Sequence, residues 1–370
     1  MLITAISLYR VQLPFHGAYR LSGGRTWDRL DSTVIRVDTD AGITGWGEAC
    51  PFGPNYLDGF AEGARAGIGE LAPALLGADP SGVMEICRRM DRDLLGHPYV
   101  KSGIDIACWD ILGKRAQRPL HDLFGGRINE NVRASGWIPP EPGPALDLAM
   151  AANRENGCTQ FSTKASGRPE ADIAFLRYLE EHLETGESVK FDANGGWRVD
   201  EAIRVMRATA ALDVYFEQPC RSYEECRSVF NACGRPLVLD ECALDLGTVV
   251  RAWNDGVLCA LNLKIDRVGG LTPTLAIRNA CDALGIPYHI QCAGGKDIMQ
   301  AAILHLAHSA PADRLLYVWD IGDLVNRRTV LGPAARKGGL MFAAPGAGLG
   351  VEPDAEVLGP AVKSWGAAPP

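Results

Sequence analysis

Apolar and polar positions alternate at the start of the chain, and the alternation predicts strands. Residues 2–14 read as one strand stopping at Pro14, followed by a polar, Gly-rich stretch from His16 to Asp31. Residues 32–38 and 43–49 read as two more strands, joined by a turn at Asp40-Ala41-Gly42. Short sequential strands with tight turns predict an antiparallel meander. After the loop Cys50-Pro-Phe-Gly-Pro-Asn-Tyr56, helical periodicity appears at 59–76, 80–95 and 99–117. The last of these carries Ile104, Cys108, Ile111 and Leu112 on one stripe.

From Asn131 the texture becomes strand, helix, strand. Eight strands are predicted, at 131–136, Gln160–Lys164, Ser188–Asp192, Val214–Glu217, 237–240, 259–264, 287–291 and 315–319. Helical patterns such as 200–211 and 272–284 lie between them. The repeat favours a closed parallel α/β barrel over an open sheet. Residues 329–358 are rich in Gly and Pro with strand-like pieces. The reading is therefore an α+β capping domain at 1–125, a (β/α) barrel at 126–328, and a segment at 329–370 that returns to the cap.

Composition narrows the function classes. A chain of 370 residues that is 47% hydrophobic can bury a large core. A net charge of -8 argues against nucleic acid or an anionic membrane as partner. No stretch reaches the length of a membrane span, and the first residues read as a strand rather than a signal peptide. The 11 cysteines are odd in number and scattered, and several, such as Cys108, Cys259 and Cys281, lie in apolar runs. That pattern predicts free thiols in the cytoplasm, and the lack of any Cys-x-x-Cys pair gives zinc or iron–sulfur chemistry little support.

Four charged residues close consecutive strands: Asp192, Glu217, Asp240 and Lys264, at steps of about 24 residues, the length of one strand plus one helix. Residues that end parallel strands emerge on one mouth. Three carboxylates meeting there repel one another unless a divalent cation lies between them, and hard oxygen donors suit magnesium. Lys264 faces that cation from the next strand, and Lys164 ends the second strand. A proton α to a carboxylate is too weakly acidic for an unaided side chain, so a cation on the carboxylate and a placed lysine would have to act together.

The ordered set Asp192-Ala-Asn-Gly-Gly-Trp, Glu217-Gln-Pro, Asp240-Glu and Lys264-Ile-Asp-Arg-Val-Gly-Gly resembles the enolase superfamily, most of all its muconate-lactonizing subgroup. Ile104-Asp-Ile-Ala-Cys-Trp-Asp-Ile-Leu-Gly-Lys and Pro345-Gly-Ala-Gly-Leu-Gly-Val add to the likeness, which covers essentially the whole chain. The resemblance implies a modified (β/α)7β TIM-type barrel under an α+β cap built from both chain ends. It also implies one Mg2+ held by Asp192, Glu217 and Asp240, catalytic Lys164 and Lys264, and a homo-oligomer. Asn194 and Glu241 are expected as hydrogen-bonding neighbours of the ligands.

Two departures stand out. The second strand of the family usually ends Lys-x-Lys, and here it reads Ser162-Thr163-Lys164. Lys164 is then expected to be depressed by the metal and Lys264 alone. The seventh strand ends Gln291-Cys292, where many relatives place an acid. His289 precedes that end by two residues and is expected to be a core imidazole.

Tyr56, Trp319, Asp297 and Gln291 are the expected substrate-binding residues, aromatic faces with nearby carboxylate suiting a cationic amine. The Gly-Pro-Asn-Tyr56 loop, Trp319 and Gly294-Gly-Lys-Asp297 look like relatives acting on proline betaines and hydroxyprolines. The expected activity is Mg-dependent removal of the α-proton of a small carboxylate, giving a metal-stabilised enediolate. Racemisation or epimerisation of a cyclic amino acid or betaine would follow. The alternative is β-elimination, a dehydratase. Outside that chemistry stand a metal-free Schiff-base lyase and a non-catalytic binding protein.

Overall fold

A computed structural model describes residues 1–325, 327–332 and 335–367. The first sheet is antiparallel, with Ile3–Arg20, Thr26–Thr39 and Thr44–Ala49 side by side. The chain's last strand, Lys363–Gly366, pairs with the outer edge of the first, Ala5 facing Gly366.

The first hairpin is longer than the sequence pattern predicts. It runs through Pro14 to Arg20, and the expected loop at 16–31 is largely strand, with Tyr19 opposite Trp27. Pro14 lies beyond the stretch the last strand pairs with, residues 5–8. Next to it Phe15 bridges Val325, and His16 N–H donates to Leu324 O at 2.9 Å. Pro14 thus sits at a strand edge, where a missing N–H is tolerated. A register shift between Pro14 and Tyr19 realigns the strand. Phe15, Tyr19 and Leu21 are buried while His16 and Gly17 face out.

Helices Ala61–Leu75 and Pro98–Ala116 pack on this sheet, and Val83–Asp93 packs against both of them. Glycines make the closest approach possible: a Cβ on Gly47 would stand 1.8 Å from the carbonyl oxygen of Gly103 on the long helix.

The second sheet has eight parallel strands in sequential order. They are Gly136–Trp137, Gln160–Lys164, Ser188–Asp192, Val214–Glu217, Leu237–Leu239, Leu258–Lys264, Tyr288–Gln291 and Leu315–Val318. A parallel bridge from Ala134 to Val318, with Ser135 N–H donating to Val318 O at 3.0 Å, joins the ends. The predicted first strand at 131–136 is therefore two pieces. Val132–Arg133 pairs with Leu340–Met341 of the returning segment, and Gly136–Trp137 enters the barrel. Phe161, Phe191 and Phe216 are fully buried on their strands in the apolar core.

Two buried carboxylates tie the antiparallel unit to the barrel. Glu48 accepts from the Ser32 hydroxyl and from the N–H groups of Lys296 and Met299, at the start of helix Asp297–His308. Asp105 accepts from the N–H and hydroxyl of Thr272. No helix among the described residues is long and apolar enough to cross a membrane.

Candidate active site

Strand register gathers the predicted charges. Lys164 is the Cα partner of Asp192, Asp192 of Glu217, and Lys264 of Gln291. Asp240 immediately follows the intervening strand Leu237–Leu239. Side chains alternate along a strand, so the residues two positions earlier form a deeper inward layer: Ser162, Lys190, Asn262 and His289.

The connecting turns are locally forced. Asn194 and Gln218, just beyond Asp192 and Glu217, adopt left-handed backbone at φ 45° and 39°, a conformation Asn tolerates better than most side chains. Gln218 is fully buried and binds two turns together. Its Oε1 accepts from Asp240 N at 2.9 Å and Cys242 N at 3.3 Å, while Nε2 donates to Cys220 O at 2.8 Å.

Each of the three acids is almost sealed from water, with exposures of 2% for Asp192, 1% for Glu217 and 0% for Asp240. Asp192 accepts from Lys164 Nζ at 2.5 Å and from Asn194 N and Nδ2 at 2.8 and 2.9 Å. Glu217 is ion-paired with Lys190 and accepts from Asn262 Nδ2. Asp240 accepts from Lys264 Nζ at 2.8 Å and from Arg267.

Burial, and then the charge of Asp192, push the Glu217 carboxyl up to about 7. Burial works on Asp240 in the same direction, but Arg267 and Lys264 outweigh it and hold that carboxyl below the usual range. Burial would lower Lys164. Its Asp192 partner, with Tyr19 and Glu217, raises it instead, whereas the depression expected from sequence is that of a site with its cation bound.

These donors fit a divalent cation by their chemistry: three buried carboxylates on successive strand ends, with Asn194 holding one of them. Each is turned onto an amine or guanidinium here. Among the described residues, no three Asp, Glu, His or Cys side chains converge on one ion-sized point.

The cavity above them is narrow, with a volume of about 40 Å³. Lys164, Asp192, Lys264, Tyr56, Gln291 and Trp319 all line it. Glu241 and Asn194 meet at its edge: Tyr56 OH donates to Glu241 Oε1 at 2.6 Å, and Asn194 Nδ2 reaches the same oxygen at 3.0 Å. Asp297 does not line the cavity. It opens helix Asp297–His308 and faces the returning segment, accepting from Thr329 N at 2.7 Å and pairing with Arg328. His289 lies a layer deeper, against Tyr317 at 4.1 Å between rings, where burial keeps it neutral.

Several residues of the cavity wall, and others that bond the acids behind it, lie outside the expectations from sequence. Tyr19 and Trp137 come from the hairpin and strand whose boundaries were misread. Lys190 and Asn262 were detectable by strand alternation, each two residues before a site residue. Arg267 carried no comparable signal.

With this geometry in hand, the fold and the strand-end acids define a barrel enzyme with a cap, and comparison with known proteins agrees. Residues 9–125 match the N-terminal domain of mandelate racemase/muconate lactonizing enzyme, and residues 145–357 match the enolase C-terminal domain-like family. The chain belongs to the mandelate racemase/muconate lactonizing enzyme family of the enolase superfamily. It is 40% identical to cis-3-hydroxy-L-proline dehydratase of Roseibium aggregatum, across 99% of this chain and 100% of that protein. It is 24% identical to the N-succinyl-L-Arg/Lys racemase of Bacillus cereus, over 88% of this chain and 90% of the racemase. An enolase-superfamily member from Roseovarius nubinhibens, solved with magnesium, superposes with a TM-score of 0.92 at 38% identity, covering 99% and 100% of the two chains.

Proposed function

We propose that this enzyme dehydrates a cis-3-hydroxyproline-type amino acid in a magnesium-dependent reaction. Asp192, Glu217 and Asp240 would hold the ion. When bound, it supplies positive charge toward which electron density leaving C2 is drawn.

The observation that carries the reading is the placement of the two lysines. They end the second and sixth of eight strands, opposite sides of a closed ring, and line one cavity. In a cis-3-hydroxy acid the C2 hydrogen and the C3 hydroxyl lie on opposite faces of the ring. Elimination therefore needs a base on one face and an acid on the other. One lysine, neutral, takes the C2 proton, and the C–H electron pair becomes the C2–C3 double bond. The C3–O bond breaks as the opposite lysine, protonated, gives its proton to the departing oxygen. Water leaves, and the enamine tautomerises to a cyclic imine.

Identity to a dehydratase over nearly the full length supports elimination.

The same lysine pair also supports a second reading, epimerisation, in which the opposite lysine returns a proton to C2. Similarity to a racemase keeps it in view. Incubation of cis-3-hydroxy-L-proline with the enzyme and magnesium in D2O, followed by NMR, separates the two. Loss of the C3 carbinol signal with appearance of the cyclic imine is expected. Deuterium at C2 with the hydroxyl retained would establish the epimerase instead, and an inert substrate would sink both for this amino acid.

A further inference from the structure

We propose that Lys190 is a substrate-binding residue, its ammonium receiving the substrate's carboxylate from below. The inference rests on the carboxylate-substrate reading above.

Lys190 lies on the third barrel strand, two residues before Asp192, and so points to the same inward face. It is 3% exposed, yet it lines the cavity. Its Cα partner on the second strand is Ser162, which also lines the cavity. Adjacent strands are about 4.8 Å apart, so an ammonium reaching up from position 190 serves nearly the same space as a long side chain at 162. The cation missing at Ser162 thus has a counterpart one strand over.

A buried ammonium is costly unless its hydrogens are used. Lys190 pairs with Glu217, and its Nζ stands 5.9 Å from the Tyr317 ring centroid. An ammonium has three donors, so pairing with one carboxylate leaves capacity for another anion. The other two lysines on the cavity wall are assigned to proton transfer. Each is neutral at some point in the cycle and makes a poor fixed anchor for an anion. Lys190 has no such duty, and a lysine needed only to balance Glu217 would have no need to open on the cavity.

The test compares two planar ring ligands by calorimetry on the full-length protein with magnesium: pyrrole-2-carboxylate and its uncharged counterpart, pyrrole-2-carboxamide. Loss of a charge-assisted hydrogen bond should weaken the carboxylate about 10- to 100-fold in Lys190→Met. The carboxamide should change less than about threefold, well below the loss of one such bond. Adding Ser162→Lys to Lys190→Met should recover most of the lost carboxylate affinity. Should Lys190→Met fail to fold, Lys190→Gln, which keeps a donor toward Glu217, is expected to show the same selective loss.

Mn2+ titration of each variant reports on Glu217 separately. Equal weakening of both ligands, a loss that follows Mn2+ affinity, or a double variant no better than the single one would overturn the proposal. So would a wild-type protein that binds neither ligand, or both alike. If the selective pattern holds while hydroxyprolines are not turned over, the assigned reaction fails and Lys190 keeps its role.

Discussion

Lys264 donates a 2.8 Å hydrogen bond to Asp240, the acid that follows the neighbouring strand, and across the ring Lys164 donates to Asp192. Each lysine is thus held by an acid proposed as a metal ligand, and the two lysines reach one cavity from the second and sixth of the eight strands. The proposed division of labour, proton removal on one face and proton donation on the other, rests on that placement.

The first expectation concerns those lysines. Replacing either with Met should lower dehydration by about 10²- to 10⁴-fold, the range for one positioned acid or base. The two variants should differ in a second measurement. The one that lost the acid should still exchange the C2 hydrogen with solvent deuterium, while the one that lost the base should not. Identical exchange in both variants would contradict a division of labour.

A second expectation concerns the cation. Asn194 donates to Asp192 through both its backbone and its side-chain nitrogen, and also approaches Glu241 and Tyr56 OH. Its φ of 45° makes Ala a confounded replacement. Asn194→Gly keeps the backbone conformation and removes only the amide. Loss of a neighbour that orients a ligand should weaken divalent binding about 10- to 100-fold, read by Mn2+ titration without turnover. Full activity should return at high magnesium.

The site was legible because its residues end strands. Asp192, Glu217 and Asp240 each terminate or follow a short apolar run, and strand period and spacing alone place them on one mouth. Lys190 obeys the same alternation and was passed over because a lysine inside an apolar run looks like the solvent side of a strand. The Glu217 pairing that makes its burial tolerable is visible only in three dimensions. Asp297 failed for the opposite reason. Its Gly-rich surroundings resemble a mouth loop, but the residue starts a helix and its carboxylate turns to Thr329. The long first hairpin was missed because Pro14 and the polar letters after it argue locally for a loop. The buried aromatic contacts of Tyr19 with Phe52 and Trp137 outweigh that local preference.

A third expectation tests the close approach within the antiparallel unit. A methyl group at Gly47 would meet Gly103 O at 1.8 Å and the Ala107 nitrogen at 3.0 Å. Both are main-chain atoms, so no rotamer change relieves the clash, and strand Thr44–Ala49 must part from helix Pro98–Ala116. Gly47→Ala should cost about 3 kcal/mol, the upper part of the usual range for overpacking. Thermal unfolding should show it as a large fall in Tm. Gly77→Ala is the control for added volume, because a Cβ there has open space, though its φ of 78° carries a strain of its own. It should cost less.

The last expectation is a pH dependence of stability at the joint between the two sheets. Asp105, on helix Pro98–Ala116, accepts from Thr272 N at 2.9 Å and Thr272 Oγ1 at 2.5 Å, with the Cys87 thiol at 3.3 Å. Burial outweighs these hydrogen bonds and pushes the carboxyl up from 3.8 to about 6. The folded protein therefore holds this proton more tightly than the unfolded chain does. Between pH ~4 and ~6 the native state binds more protons, so stability falls as pH rises through that window. The contribution is fully present below the unfolded value and gone above the folded one. A shift of this size corresponds to about 3 kcal/mol at most. Asp105→Asn cannot titrate, yet its side-chain oxygen still accepts from Thr272. Urea unfolding of both proteins from pH 4 to pH 8 cancels the remaining acids, which titrate alike in each. Wild type should lose about 2–3 kcal/mol relative to Asp105→Asn across that range. A difference that is flat, or that grows in favour of wild type as pH rises, would show that Asp105 is held as a carboxylate and that burial does not govern this joint.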